Sequence, residues 1–187
     1  FRSLTVPTEQ DSFVFAIFGD RTTGKSSGLD ALKRTVADMN VLAPDLVITM
    51  GDYIQGYGSK EQWLIEAREY KAIVDKLTMP WFPLAGNHEV YWRGNARPEG
   101  EHESSYEEFF GPLWYSFRYK NACFIMLFGD EGDSQNGNKS YNVPASQAFS
   151  PAQLRFLANT LKASADVGHV FVFIHHQIGR ASCRERV

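Results

Sequence analysis

The chain has 187 residues, 43% hydrophobic and 22% charged, with a formal net charge of -3. That length supports one domain with one sizeable core, and that charge leaves no basic footprint for bulk nucleic-acid binding. No apolar run approaches the ~18 residues of a transmembrane helix, no signal peptide opens the chain, and two cysteines, Cys123 and Cys183, make no disulfide framework.

Phe13 to Phe18 is a short apolar run and predicts a buried strand, followed by Gly19-Asp20. Leu29, Leu32, Val36 and Met39 recur at helical spacing until Pro44. "DLVITMGD" (Asp45 to Asp52) predicts a second buried strand ending in a carboxylate. Trp63, Ala67, Tyr70, Val74 and Leu77 then step by four and three along a helix. "PWFPLAGNHE" (Pro80 to Glu89) reads as a third strand running into a Gly-Asn turn.

Arg93 to Ser105 is polar and irregular, a loop expected to overhang a site and to leave His102 exposed. "LWYSFRY" (Leu113 to Tyr119) and "ACFIMLF" (Ala122 to Phe128) predict a hairpin turning at Lys120-Asn121. Gly129 to Ser150 is a second long polar loop; its Asp130 and Asp133 lack the spacing of a calcium loop. A helix with Leu154, Leu157 and Leu161 on one face precedes a last strand, "HVFVFI" (His169 to Ile174), which ends in His175-His176. Trp63, Tyr70, Trp81 and Trp114 are expected to pack in or at the rim of the core, and Cys123 to be buried and inert.

Strands alternating with helices argue for an α/β protein with a largely parallel sheet. Ligands of such sheets collect at the carboxyl ends of the strands. Those ends carry Asp20, Asp52, Asn87 with His88, and His175 with His176. Two carboxylates, an amide oxygen and an imidazole form a mixed oxygen and nitrogen ligand set, suited to manganese, iron or zinc. A bridging carboxylate such as Asp52 allows two metals, which can clamp a phosphoester and make a bound water acidic. A histidine beside them can protonate the leaving alkoxide.

With Gly19-Asp20, Gly51-Asp52, Gly86 to Glu89 (GNHE) and His175-His176 in this order, the chain resembles the calcineurin-like metallophosphoesterases, which include the purple acid phosphatases. The resemblance runs from about Phe13 to His176 and includes "YEEFFGPLWYSF" (Tyr106 to Phe117). It implies two packed mixed β-sheets flanked by helices. It implies hydrolysis of a phosphomonoester or phosphodiester by attack of a metal-bound hydroxide, with two divalent or trivalent ions (manganese, iron or zinc) as cofactors and a small-molecule phosphoester as partner. Asp20 would ligate the first metal, Asp52 would bridge, Asn87 and His175 would ligate the second, and His88 would be the general acid. Arg21, Thr22 and His176 are candidates for the substrate side, Arg21 being equally suited to a surface salt bridge. Glu89 would support the site or start a helix.

The chain departs from the family pattern twice. Thr22 stands where D-x-H has its histidine, and no closing G-H-x-H follows, because Phe171 stands where Gly168-His169 would need the second one. The first metal then keeps only Asp20 and Asp52, so weak binding there and weak or no activity are expected. The final ten residues, "IGRASCRERV" (Ile178 to Val187), resemble a translated short-read sequencing adapter. The expected division is thus residues 1–177, a domain incomplete at its C-terminus, and a non-native tail at 178–187. With Phe1 rather than Met at the start, cytoplasmic and exported locations both stay open.

Two other readings compete. Gly19 to Ser26 satisfies G-x-x-x-x-G-K-[ST], a nucleotide phosphate loop. That reading leaves GNHE and the paired histidines unexplained and points the Asp20 carboxylate at phosphate anions. It is simpler for Lys25 to be solvated and for Ser26 or Ser27 to cap the first helix. The other is a non-catalytic binding module, since Thr22 removes a ligand.

Overall fold

A computed structural model describes residues 12–21, 27–92, 96, 98, 100–132 and 148–176. Its elements run β1 (Phe15–Phe18), α1 (Ser27–Leu42), β2 (Leu46–Thr49), α2 (Lys60–Val74), β3 (Trp81–Pro83), α3 (Asn87–Val90), α4 (Glu103–Phe109), β4 (Tyr115–Tyr119), β5 (Ala122–Leu127), α5 (Pro151–Ala163) and β6 (His169–Ile174). They build two three-stranded sheets, ordered β1-β2-β3 and β4-β5-β6. The first is parallel throughout. In the second, β4 and β5 form the expected antiparallel hairpin, and β6 returns parallel to β5.

Parallel neighbours need crossovers, and successive right-handed crossovers put their helices on one face of the sheet. Leu32 and Val36 of α1 and Trp63, Ala67 and Tyr70 of α2 accordingly share one core with Phe18 and Trp81 of the first sheet. The α2 residues fall at the spacing that places them on one helical face. That helix starts where Ser59 accepts a hydrogen bond from the Gln62 N–H at 3.3 Å. The opposite face of the first sheet meets the second sheet through Leu46, Ile48, Leu84, Phe124, Met126 and Phe173, with Phe15, Phe82 and Phe117 packed against them. Beyond the second sheet, Phe156 and Leu157 of α5 cover Cys123, Ile125 and Leu127. The layers are therefore helices, sheet, sheet, helix, as the resemblance implies.

Several expectations are corrected. The third strand is short; after Pro83 the chain turns into the single helical turn α3. The stretch read as a loop from Arg93 to Ser105 already contains the start of α4. His102 is not exposed: it is 1% accessible, its ring lies against Trp63 and Trp92, and its Nε2 sits 2.9 Å from the Gly58 carbonyl. In α5 Leu157 packs as expected, but Leu154 and Leu161 are 50% and 43% exposed. Buried instead is Gln153, whose amide accepts from the Phe128 N–H and donates to the Phe128 carbonyl, tying α5 to the end of β5. The predicted phosphate loop, including Thr22, Lys25 and Ser26, lies largely outside the described residues, as do Asp133, Cys183 and the tail.

Candidate metal centre

The two sheets bring the carboxyl ends of β1, β2, β3 and β6 to one edge of the sandwich. Oxygens of Asp20 and Asp52 and a ring nitrogen of His175 lie there within 4.8 Å of one another. Both aspartates have left-handed backbones, with φ of 56° and 55°. That conformation is uncommon for a residue with a side chain, and such outliers gather where surroundings hold them for function. The loops are locked together: the Met50 N–H donates to the Phe18 carbonyl at 2.8 Å and the Asp20 N–H to the Gly51 carbonyl at 3.1 Å.

The glycine of Gly51-Asp52 is needed for space as well as conformation. At φ 83°, a Cβ there would come within 2.6 Å of the Gly86 nitrogen and 3.0 Å of His175 Nδ1. Gly-Asp and Gly-Asn are motifs here because three strand-end backbones pass closer than side chains allow.

His175 reaches across from the second sheet. Its Nδ1 lies 2.6 Å from the Met50 carbonyl, so Nδ1 carries the proton and Nε2 faces Asp52 Oδ1 at 3.2 Å. A ring nitrogen donating to a backbone carbonyl, with the other left toward a cation, is the usual support of a histidine ligand. Burial pulls the His175 pKa down, but the hydrogen bond and charge of Asp52, the Met50 carbonyl and the Glu89 charge raise it, to about 9. For Asp52, burial pushes upward, and His175 and His88 overcome it, so its pKa is lowered.

Asn87 and His88 begin α3, and His88 touches Asp52. The His88 N–H donates to Asp52 Oδ1 at 3.2 Å, and its Nε2 sits 3.8 Å from Asp52 Oδ2. His88 Nδ1 lies 2.7 Å from the Gln55 carbonyl, which again directs Nε2 at the site. Asn87 is buried, and its Nδ2 donates to the Tyr57 hydroxyl at 2.5 Å.

Glu89 is the third residue of α3, and its carboxylate faces back to the loops after β2 and β3. Its carboxylate accepts from the Asp52, Tyr53 and Gly86 N–H groups at 2.8, 2.6 and 2.8 Å. It therefore clamps the loop after β2 to the loop after β3. Burial, with the Asp52 charge adding to it, raises its pKa to about 7 against those N–H groups and the His175 charge.

Arg21 lines a cavity of about 280 Å³ with Asp20, Ala31, Leu32, Thr35, Tyr53 and Tyr70, its Nε buried and without a hydrogen bond among the described residues. His176 Nε2 lies 3.1 Å from Asp130 Oδ2. Asp130 is 1% exposed, although it stands in a stretch that reads as a polar loop. The signal was present: Phe128-Gly129-Asp130 repeats the tripeptide Phe18-Gly19-Asp20, also at the end of an apolar strand. Tyr57 is the other residue that sequence reasoning missed, and no pattern in the sequence marks it.

The model of the calcineurin-like phosphoesterase family matches residues 13–184. Among solved structures, the chain is similar to a dimetal phosphatase from Danio rerio, at 16% identity and a TM-score of 0.70 over 89% of this chain and 70% of that one. It is also similar to the anchor in the inner membrane complex of Plasmodium, at 15% identity and a TM-score of 0.50, over 86% of this chain and 54% of that one. At such identity these likenesses speak for the fold alone. No curated protein matches. No helix among the described residues is long and apolar enough to cross a membrane.

Proposed function

The chain belongs to the calcineurin-like phosphoesterases, metal-dependent hydrolases of phosphoester bonds, and on that premise we propose that it hydrolyses a small phosphomonoester or phosphodiester at a two-metal centre built on Asp52. The observation that carries this reading is the meeting of Asp20, Asp52 and His175 at one edge of the sandwich, with His88 beside them. The Danio rerio neighbour, a dimetal phosphatase, supports it.

The donor set fits divalent ions: oxygen and imidazole nitrogen without thiolate, with His175 oriented by a backbone carbonyl. Asp52 would bridge, Asn87 and His175 would complete one site, and Asp20 would serve the other, which these residues leave the weaker of the two. Bound ions would supply Lewis-acid polarisation of the phosphoryl oxygens and a water acidic enough to lose its proton near neutral pH. The residues themselves do the rest. Asp52 neutralises charge at the centre. Gln55 and Tyr57 hold the His88 ring so that Nε2 can hand a proton to the departing oxygen. Arg21, Thr22 and His176 are the groups proposed for the substrate side.

The test is Mn²⁺-dependent release of nitrophenol from bis(p-nitrophenyl) phosphate and from p-nitrophenyl phosphate. We expect slow hydrolysis that requires Mn²⁺ and is lost in His88→Ala. Mn²⁺ uptake without hydrolysis of any phosphoester, unchanged by His88→Ala, would favour the non-catalytic binding module. ATP binding that survives Asp52→Asn and Asn87→Ala would favour the phosphate-loop reading.

A further inference from the structure

The segment after Asp52 wraps the beginning of α3, and each residue of the wrap touches a proposed site residue. The Gln55 carbonyl meets His88 Nδ1 at 2.7 Å. Gly56, at φ 57°, lies so close to the His88 carbonyl that a Cβ there would overlap it. The Tyr57 ring packs on the His88 imidazole with centroids 4.4 Å apart, and its hydroxyl accepts from Asn87 Nδ2 at 2.5 Å. The wrap is anchored from behind, where the Gly56 N–H donates to Glu66 of α2 at 2.9 Å and Tyr57 bridges to Trp92.

Tyr57 holds this position with φ at 65°. For a bulky aromatic residue that backbone is a genuine outlier, kept only where surroundings over-determine it. Its hydroxyl is turned to a buried amide whose own orientation matters. An amide can ligate a cation only through oxygen, since its nitrogen offers donors and no acceptor. A hydroxyl can accept from Nδ2 or donate to Oδ1; here it accepts from Nδ2, which leaves the Oδ1 end of Asn87 for the metal.

Resting on the metal-centre reading above, we infer that Tyr57 is a positioning residue, whose hydroxyl orients Asn87 so that Oδ1 faces the second metal while its ring steadies His88. The two contacts are separable. Tyr57→Phe keeps the ring and removes the hydroxyl; Tyr57→Leu removes both.

The experiment is calorimetric titration of the whole chain with Mn²⁺, together with the thermal midpoint of the metal-free chain. Tyr57→Phe is expected to weaken Mn²⁺ binding by about 10–100-fold, the usual cost of losing a residue that orients a ligand, with at most a small fall in the metal-free midpoint from the buried Nδ2 that loses its acceptor. Asn87→Asp removes the need for orientation, because both ends of a carboxylate are oxygens. In that background the Tyr57 hydroxyl can still donate to the carboxylate but no longer selects an end, so Tyr57→Phe is expected to cost clearly less affinity than in the wild-type background. Equal penalties in the two backgrounds mean a generally loosened loop and overturn the inference, as does unchanged affinity in Tyr57→Phe alone. If Tyr57→Phe lowers the metal-free midpoint, the same comparison of backgrounds decides. A wild-type chain that takes up no Mn²⁺ overturns the metal reading itself and this inference with it.

Discussion

His175 and His176 are neighbours in the chain, their rings 4.9 Å apart, and each faces a buried aspartate. Their surroundings could hardly differ more. His175 looks across to the first sheet, where Asp52 is also reached by His88 and stands with Asp20. His176 looks the other way, to Asp130 at the end of β5, whose carboxylate takes no backbone hydrogen bond among the described residues. Successive residues leaving a strand point to opposite sides. The centre therefore depends on register: slipping β6 by one residue would exchange the two histidines. Of the two Asp–His pairs, it is Asp52–His175 that lies where several strand ends converge.

The sharpest way to break this contrast is to remove each histidine. His175→Ala is expected to weaken Mn²⁺ binding by more than the ~100-fold upper cost of a lost supporting group. His176→Ala should leave the isotherm nearly unchanged. Equal losses in titration calorimetry would show that the two pairs form one centre.

Next in size is the acid. His88→Ala should lower the hydrolytic rate by about 10²–10⁴-fold, the range for a lost general acid, while Mn²⁺ binding persists. A fall in metal affinity of similar size would make His88 a ligand instead.

The outer pair should matter less. His176 Nε2 and the Asp130 carboxylate, 3.1 Å apart, lack hydrogen-bond geometry, so Asp130→Ala is expected to change stability by about 1 kcal/mol or less, read from urea unfolding, with unchanged Mn²⁺ affinity.

The smallest effect is a pH trend. His175 is raised to about 9 and Glu89 to about 7 in the folded, metal-free chain. Both groups therefore hold protons more tightly when folded. The His175 contribution is complete below its ordinary value of 6.5 and lost as pH rises through about 9. For Glu89, stability falls as pH rises from 4.5 to about 7. Asp52, shifted down, adds stability above its ordinary 3.8 that is lost only in stronger acid. Thermal midpoints of the metal-free chain should thus decline from pH 5 to 9. Saturating Mn²⁺ should offset the decline above neutrality, because the ligand form of His175 is neutral. A midpoint that rises from pH 6 to 9 without metal would contradict the Asp52–His175 pairing.

The most legible parts of the sequence were those in which one local signal carries the result. Apolar runs of four to six residues became β1, β2, β5 and β6; β2 and β5 are buried on both faces, as such runs predict. The first strand, expected to be buried, instead leaves Ile17 exposed, as β6 does Val170 and Val172. Spacing of four and three became α2. Less legible was anything decided by distant partners. His102 sits in a polar stretch, and only Gly58 and two tryptophans bury it. Leu154 and Leu161 have core spacing yet remain half exposed, since spacing fixes which residues share a face but not how far that face is covered. Asp130 looked like loop polarity although its tripeptide matched that at Asp20.

By itself, the sequence determined the family, the layered α/β architecture and the residue types at the strand ends, because these follow from periodicity and from short motifs with local geometry. That His175 joins Asp52 was implied by the motifs; only the tertiary structure decided that His176 faces Asp130, that Glu89 clamps two loops, and that Tyr57 reaches Asn87. Those relations join residues thirty or more positions apart, and the packing of strand on strand and of loop on loop sets them, to which no local pattern answers.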